Sequence, residues 1–219
     1  MKDETKKEMR RQLAHALGVM LVPLTLAFGK FPVGAASMVL ALIIFILAEH
    51  KNGINNTESN KKRSARYGLN SKSRRYADIG VPANHSALNA VHSIFEKFER
   101  SGGNYRGAFY FYLASAVSLF LFSQEIAALS IIVLALGDSF STAVGIFGKC
   151  RIFYNRKKTW EGTLAGFAAA FVGCFLINPY LALPAAFVGM LVESLPLKID
   201  DNLTIPILTG VVLSAIMFF

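Results

Sequence analysis

The sequence predicts an all-α membrane protein, a bundle of about seven transmembrane helices with its N-terminus in the cytoplasm. Three observations predict it. Hydrophobic residues make up 53% of the 219-residue chain and charged residues only 17%, against about 25% charged in an ordinary soluble domain. The apolar residues gather into seven runs of near-spanning length, and a bilayer core takes about 20 apolar residues as helix. With the N-terminus inside and all seven runs crossing, 22 of the 23 lysines and arginines fall on one side, as loops retained in the cytoplasm require.

The runs cover 13–29, 31–49, 107–122, 126–147, 163–177, 180–195 and 203–219. The fifth and sixth are short and read as half-spans or tilted crossings. Between them, the inside segments 1–12, 50–106, 148–162 and 196–202 carry 5, 11, 5 and 1 basic residues. The outside links carry Lys30 alone, in a tight turn from Gly29 to Pro32. Removing one internal span would place basic loops on both faces, so the asymmetry fixes the span count as well as the direction. The whole chain, 1–219, reads as a single integral membrane domain.

Within the long inside segment, 50–106, two parts differ. Residues 52–75 are rich in Asn, Ser, Lys and Arg and predict a solvated loop. In 84–99, Ala87, Leu88, Val91, Ile94, Phe95 and Phe98 recur with helical period on one face. A helix lying in the headgroup plane and a helix packed on the bundle both fit that pattern. His85 and His92 share one side of it, and nothing completes a metal site. They read as solvated.

Several function classes are excluded or disfavoured. Two cysteines, Cys150 and Cys174, give no disulfide framework, and no histidine or cysteine spacing reads as zinc. No cleavage site follows the first apolar run, so no signal peptide is expected. The net charge of +9 is that of cytoplasmic loops rather than of a nucleic-acid binder. Walker A and GxGxxG motifs are absent, so a nucleotide would be held on another scaffold.

Three polar groups need an explanation. Asp138 lies inside the fourth run, and an acid at that depth costs at least about 2.5–3.5 kcal/mol, which makes it a functional candidate. Gly137, Ser139, Ser141 and Thr142 around it suggest a broken helix, with Asp138 capping the second half. The alternative is a structural aspartate paired with a base on another span. Lys157 and Lys158 precede a helix start at Thr159, where free N–H groups and the helix dipole favour phosphate. Gly162, Gly166 and Gly173 beyond it read as close-packing positions. Finally, Asp200, Asp201 and Asn202 offer oxygen ligands suited to Mg²⁺, or a polar turn with capping aspartates. Together they fall on one membrane face, as nucleotide-dependent phosphoryl transfer needs.

The run from Gly137-Asp138 to Gly145, then Lys157-Lys158-Thr159-Trp160-Glu161-Gly162 and Gly166, resembles the core of the dolichol kinase and phytol kinase family. That family includes CTP-dependent diacylglycerol kinases. Glu193-Ser194-Leu195-Pro196 with Asp200-Asp201-Asn202 resembles its closing motif, and Arg11-Gln12-Leu13-Ala14-His15 an element at the first span, with Gln12 where the family has lysine. The resemblance covers about 80 residues in three blocks. It implies transfer of the γ-phosphate of CTP to a lipid alcohol of dolichol or polyprenol type, with Mg²⁺. In that reading Asp138 orients or deprotonates the lipid hydroxyl, or holds the metal. Lys157 and Lys158 bind the phosphates, with Arg11 a third contact. Gly145 permits close approach to the nucleotide, Glu161, Asp200 and Asp201 hold the metal, and Asn202 supports the site. The expected partners are CTP, the lipid alcohol and the bilayer of a cell membrane or endoplasmic reticulum, with no nucleic acid. Glycine-rich spans leave a homodimer open. The runner-up is a phosphatidate cytidylyltransferase; a small transporter using Asp138 as an ion site is a third reading.

Overall fold

The computed structural model describes residues 3–66 and 105–218. Among them the regular secondary structure is helical, apart from one isolated bridge between Arg151 and Thr159. Helix α1 (Asp3–Ala16), a 3₁₀ turn (Leu17–Met20) and α2 (Leu21–Phe28) form the first crossing. After α3 (Lys30–Arg66) and α4 (Arg106–Leu121), α5 (Gln124–Ile132) runs through a π-helical stretch (Val133–Asp138) into α6 (Ser139–Gly145). The last three helices are α7 (Trp160–Phe175), α8 (Pro179–Ser194) and α9 (Asp201–Phe218).

These helices account for all seven apolar runs. Four stretches, Thr5–Phe28, Lys30–Gly53, Gln124–Gly145 and Asp201–Phe218, are long and apolar enough to cross a membrane. Helices α4, α7 and α8 are apolar but have 16 residues each. At 1.5 Å per residue they reach about 24 Å, short of a hydrocarbon layer of about 30 Å.

Burial ranks the spans. The fourth is 72% buried, against 22%, 33% and 28% for the first, second and last. It is the central post, and its π segment touches α1, α7, α8 and α9. Large apolar side chains on the outer helices, such as Leu42 and Phe45 on α3, Leu164 on α7 and Phe187 on α8, are left exposed. An exposed apolar belt of this extent is what lipid tails cover.

Local chemistry sets the turns. Gly29 alone separates α2 from α3, at φ 85° and ψ 162°, a conformation open essentially only to glycine. Around it the links at this end of the bundle are tied by side chains. Lys30 donates to the Phe122 carbonyl at 2.8 Å, Gln124 to the Thr25 carbonyl at 3.2 Å, and Asn178 to Glu125 at 2.6 Å. Asn178 also caps α8, accepting from the N–H groups of Tyr180 and Leu181, with Pro179 at the first helical position.

Two expectations are corrected here. The fourth run does not break at Asp138: the helix continues, overwidened by the π stretch, and the Asp138 side chain caps nothing. A π-bulge accommodates one extra residue while keeping the helix intact, so no half-helix end needs a cap. The polar stretch from Asn52 is also helical as far as Arg66 rather than a loop. Extending an existing helix adds a hydrogen bond for each residue fixed, without a new nucleus. The amphipathic stretch 84–99, with His85 and His92, and the rest of the loop to Arg75 lie outside the described residues.

The glycines of α7 do pack closely. A Cβ on Gly162 would meet the Ser141 carbonyl at 2.5 Å, and one on Gly173 the Ile132 side chain at 2.7 Å. At Gly166 it would meet the Gly137 carbonyl at 2.6 Å and the Ser141 Cβ at 2.8 Å. Backbone cannot yield cheaply at those separations. Gly166→Ala is therefore expected to lower stability by about 1–3 kcal/mol, the usual cost of overpacking, read as a drop in thermal midpoint in detergent. An unchanged midpoint would contradict this packing.

Candidate active site

Helix polarity gathers the site. The starts of α1, α4, α7 and α9 and the ends of α6 and α8 meet at one end of the bundle, around a cavity of about 1220 Å³. Pockets for drug-sized ligands measure about 300–1,000 Å³, so this space is ample for a nucleotide and the polar end of a second substrate. Six basic residues (Arg11, Arg106, Arg151, Lys157, Lys158, Lys198) and five acidic ones (Glu8, Asp138, Glu193, Asp200, Asp201) line it.

The hairpin between α6 and α7 holds the lysines in place. Ile152 is fully buried, and its N–H bonds the Lys158 carbonyl at 3.1 Å. Asn155, also buried, donates to the Ser194 carbonyl at 3.0 Å. Thr159 then caps α7 by accepting from Gly162 N–H at 3.2 Å. Lys157 is exposed at the cavity rim, whereas Lys158 points in.

At the centre Lys158 forms an ion pair with Glu193 and another with Asp201, the latter at 3.1 Å. Glu193, on the last turn of α8, is only 1% exposed. Ser141 donates to the same carboxylate at 2.8 Å, while the second oxygen, Oε2, is buried with no hydrogen-bond partner among the described residues. Burial alone would push the Lys158 ammonium down, but Glu193, Asp138 and Asp201 outweigh it and hold the group above the usual lysine range. Lys158 therefore stays charged at any physiological pH.

Asp138 lies beside this pair with its side chain half-buried and on the cavity wall. Among the described residues nothing hydrogen-bonds its carboxylate, although its charge acts on the nearby Lys158 ammonium. Asp200 precedes α9 and accepts from Asn202 N–H at 3.1 Å; burial, with Asp201 nearby, raises its proton affinity above the ordinary aspartate level. Asn202 ties three elements together, meeting His15 at 2.9 Å and donating to the Gly107 carbonyl at 3.3 Å. Arg11 on α1 is ion-paired with Glu8 one turn earlier.

Of the residues chosen from sequence, Arg11, Asp138, Gly145, Lys157, Lys158, Asp200, Asp201 and Asn202 all line the cavity. Glu161 does not. Its carboxylate accepts from the backbone N–H groups of Lys149 at 2.8 Å and Cys150 at 3.0 Å, bracing the hairpin from its outer side. Gly145 packs against α7, where a Cβ would lie 3.2 Å from Thr159 Oγ1.

Sequence reasoning left Glu193 out of the site. The signal was present: an acid at the end of an apolar run, the same argument that selected Asp138.

No group of three or more His, Cys, Asp or Glu side chains poised for a metal occurs among the described residues. Mg²⁺ does not require one. It is commonly held through one or two carboxylates, with substrate phosphates and waters completing the shell. Asp200 and Asp201 each keep one carboxylate oxygen without a hydrogen bond among the described residues, which fits that habit.

No family model matches the chain, and no solved structure matches it. The chain is 37% identical over 125 residues to an uncharacterized protein of Methanocaldococcus jannaschii, covering 54% of this chain and 62% of that one. It is 27% identical over 165 residues to probable phytol kinase 2, chloroplastic, of Glycine max, covering 65% and 56%. To the CTP-dependent diacylglycerol kinase 1 of Eremothecium gossypii it is 25% identical over 144 residues, covering 52% and 45%. The chain thus spans about half the length of the curated relatives it matches, and those relatives with a named activity are named as phytol or diacylglycerol kinases.

Proposed function

We propose that the chain is a CTP-dependent kinase that phosphorylates a membrane lipid alcohol. The observation that carries this is a doubly paired, partly buried lysine and, beside it on one cavity wall, an aspartate with no hydrogen bond among the described residues, at the polar end of an apolar bundle. The names of the relatives supply the nucleotide and the acceptor class. The acceptor proposed is a prenyl-type alcohol, phytol or a longer polyprenol such as dolichol. Diacylglycerol is the second reading, favoured by the fungal relative.

In this proposal the basic residues Lys157, Lys158, Arg11 and Arg151 bind the triphosphate, and α7 adds the positive end of its dipole. Asp200 and Asp201 hold Mg²⁺, which when bound offsets charge on the phosphates. The lipid hydroxyl approaches Asp138. Its oxygen bonds to the γ-phosphorus, the bond from that phosphorus to the bridging oxygen breaks, CDP leaves, and the hydroxyl proton passes to the Asp138 carboxylate. Most of the rate enhancement comes from positioning and charge neutralisation, since the transferring phosphoryl group needs little covalent help.

The active face is proposed to be cytoplasmic. Lys30, the one basic residue assigned outside, lies at the end of the bundle opposite the cavity, as the positive-inside rule expects.

Purified protein in lipid, given γ-labelled CTP with phytol, polyprenol or diacylglycerol in turn, tests the acceptor. Label entering the organic phase most readily with a prenyl alcohol supports the first reading, and transfer confined to diacylglycerol replaces it with the second. No transfer to any of the three contradicts the kinase reading.

A further inference from the structure

The paired lysine has a consequence for how a metal could be taken up. Resting on the kinase reading, we infer that Lys158 acts as a resident cation that keeps divalent metal off Asp201 until nucleotide phosphates draw the ammonium away. The argument starts from valence. A lysine ammonium has three donors and no acceptor. Here one faces Glu193 and one faces Asp201 at 3.1 Å, leaving a single donor for anything else.

The two carboxylates differ. Glu193 is buried on α8 and held by Ser141, so it cannot follow the lysine or turn to solvent. Asp201 has a side chain 32% exposed at the start of α9, on the cavity surface. Asp201 is therefore the partner that can change. While Lys158 is bonded to it, an incoming divalent cation meets a positive charge within contact distance, in a site partly shielded from water, where like charges repel strongly. A triphosphate reverses this. It offers Lys158 stronger acceptors than Asp201, and the freed Asp201 then joins Asp200 as a ligand. Metal and nucleotide would enter together rather than metal first. Asp138 adds negative charge to the same group but bonds neither partner.

Glu193 Oε2, without a hydrogen-bond partner among the described residues, points the same way. The site holds more carboxylate than Lys158 alone can satisfy.

The test needs no nucleotide. Mn²⁺ binding to the full chain in detergent is followed by the loss of its free electron-paramagnetic-resonance signal. Wild type should bind Mn²⁺ weakly, and Lys158→Gln at least about tenfold more tightly, since removing one neighbouring positive charge in a partly buried site is worth that much. Lys158→Arg, which keeps the charge, should behave as wild type. Lys158→Gln combined with Asp201→Asn should lose the gain. Because Lys158→Gln strands a buried glutamate, Lys158→Gln with Glu193→Gln serves as the variant most certain to fold, and it should retain the gain through Asp200 and Asp201. Wild type binding Mn²⁺ as tightly as Lys158→Gln would overturn the inference, as would a gain that survives Asp201→Asn. The kinase reading stands or falls separately, on phosphate transfer from CTP.

Discussion

Asp138→Asn is expected to abolish phosphate transfer while leaving the protein folded. The substitution keeps the size of the side chain and replaces an anionic proton acceptor with a neutral amide. Among the described residues Asp138 makes no ion-pair contact and its side chain caps no helix, so little stability is expected to depend on it. A positioned acid or base contributes about 10²–10⁴-fold to rate, and the loss should be of that size, measured as initial rate with the thermal midpoint as control. A folded Asn variant with full activity would remove Asp138 from the chemistry.

The second large effect concerns the buried pair. Lys158→Met strands Glu193, which is 1% exposed, and breaking a buried pair from one side costs about 3–5 kcal/mol. The thermal midpoint should fall steeply and transfer should be lost. Adding Glu193→Gln removes the stranded charge, so the double variant should regain most of the stability and none of the activity. That separation distinguishes a lysine needed for phosphate contact from one needed only to neutralise a glutamate. Recovery of activity along with stability would assign Lys158 a structural task alone.

Much of this arrangement was legible in the sequence because polar groups are conspicuous in an apolar chain. Asp138, Lys157, Lys158, Asp200 and Asp201 stood out against their surroundings, and charge asymmetry placed them at one end. The spans were legible for the same reason, as were the close-packing glycines of α7. Other features depend on partners that a linear reading does not supply. The π stretch carries Gly137, whose carbonyl packs against Gly166, a contact between residues about thirty positions apart. Glu161 entered the expected metal set through the motif resemblance, yet its carboxylate faces the backbone of Lys149 and Cys150. The N-terminal segment read as a basic cytoplasmic piece with Arg11 as its one site residue, while in the fold α1 forms a cavity wall through Thr5, Glu8 and Arg11. Asn202 looked like a support for ligand and proves to tie α1 and α4 to α9.

These corrections leave the central claim resting on Lys158 and Asp138 sharing one cavity. It is tested most directly by offering the purified protein, in lipid with a prenyl alcohol and Mg²⁺, CTP labelled in parallel at the α or the γ phosphorus. A kinase of this design moves the γ label into the lipid and leaves the α label in solution as CDP. Appearance of the α label in the lipid would show cytidylyl transfer instead and contradict the account.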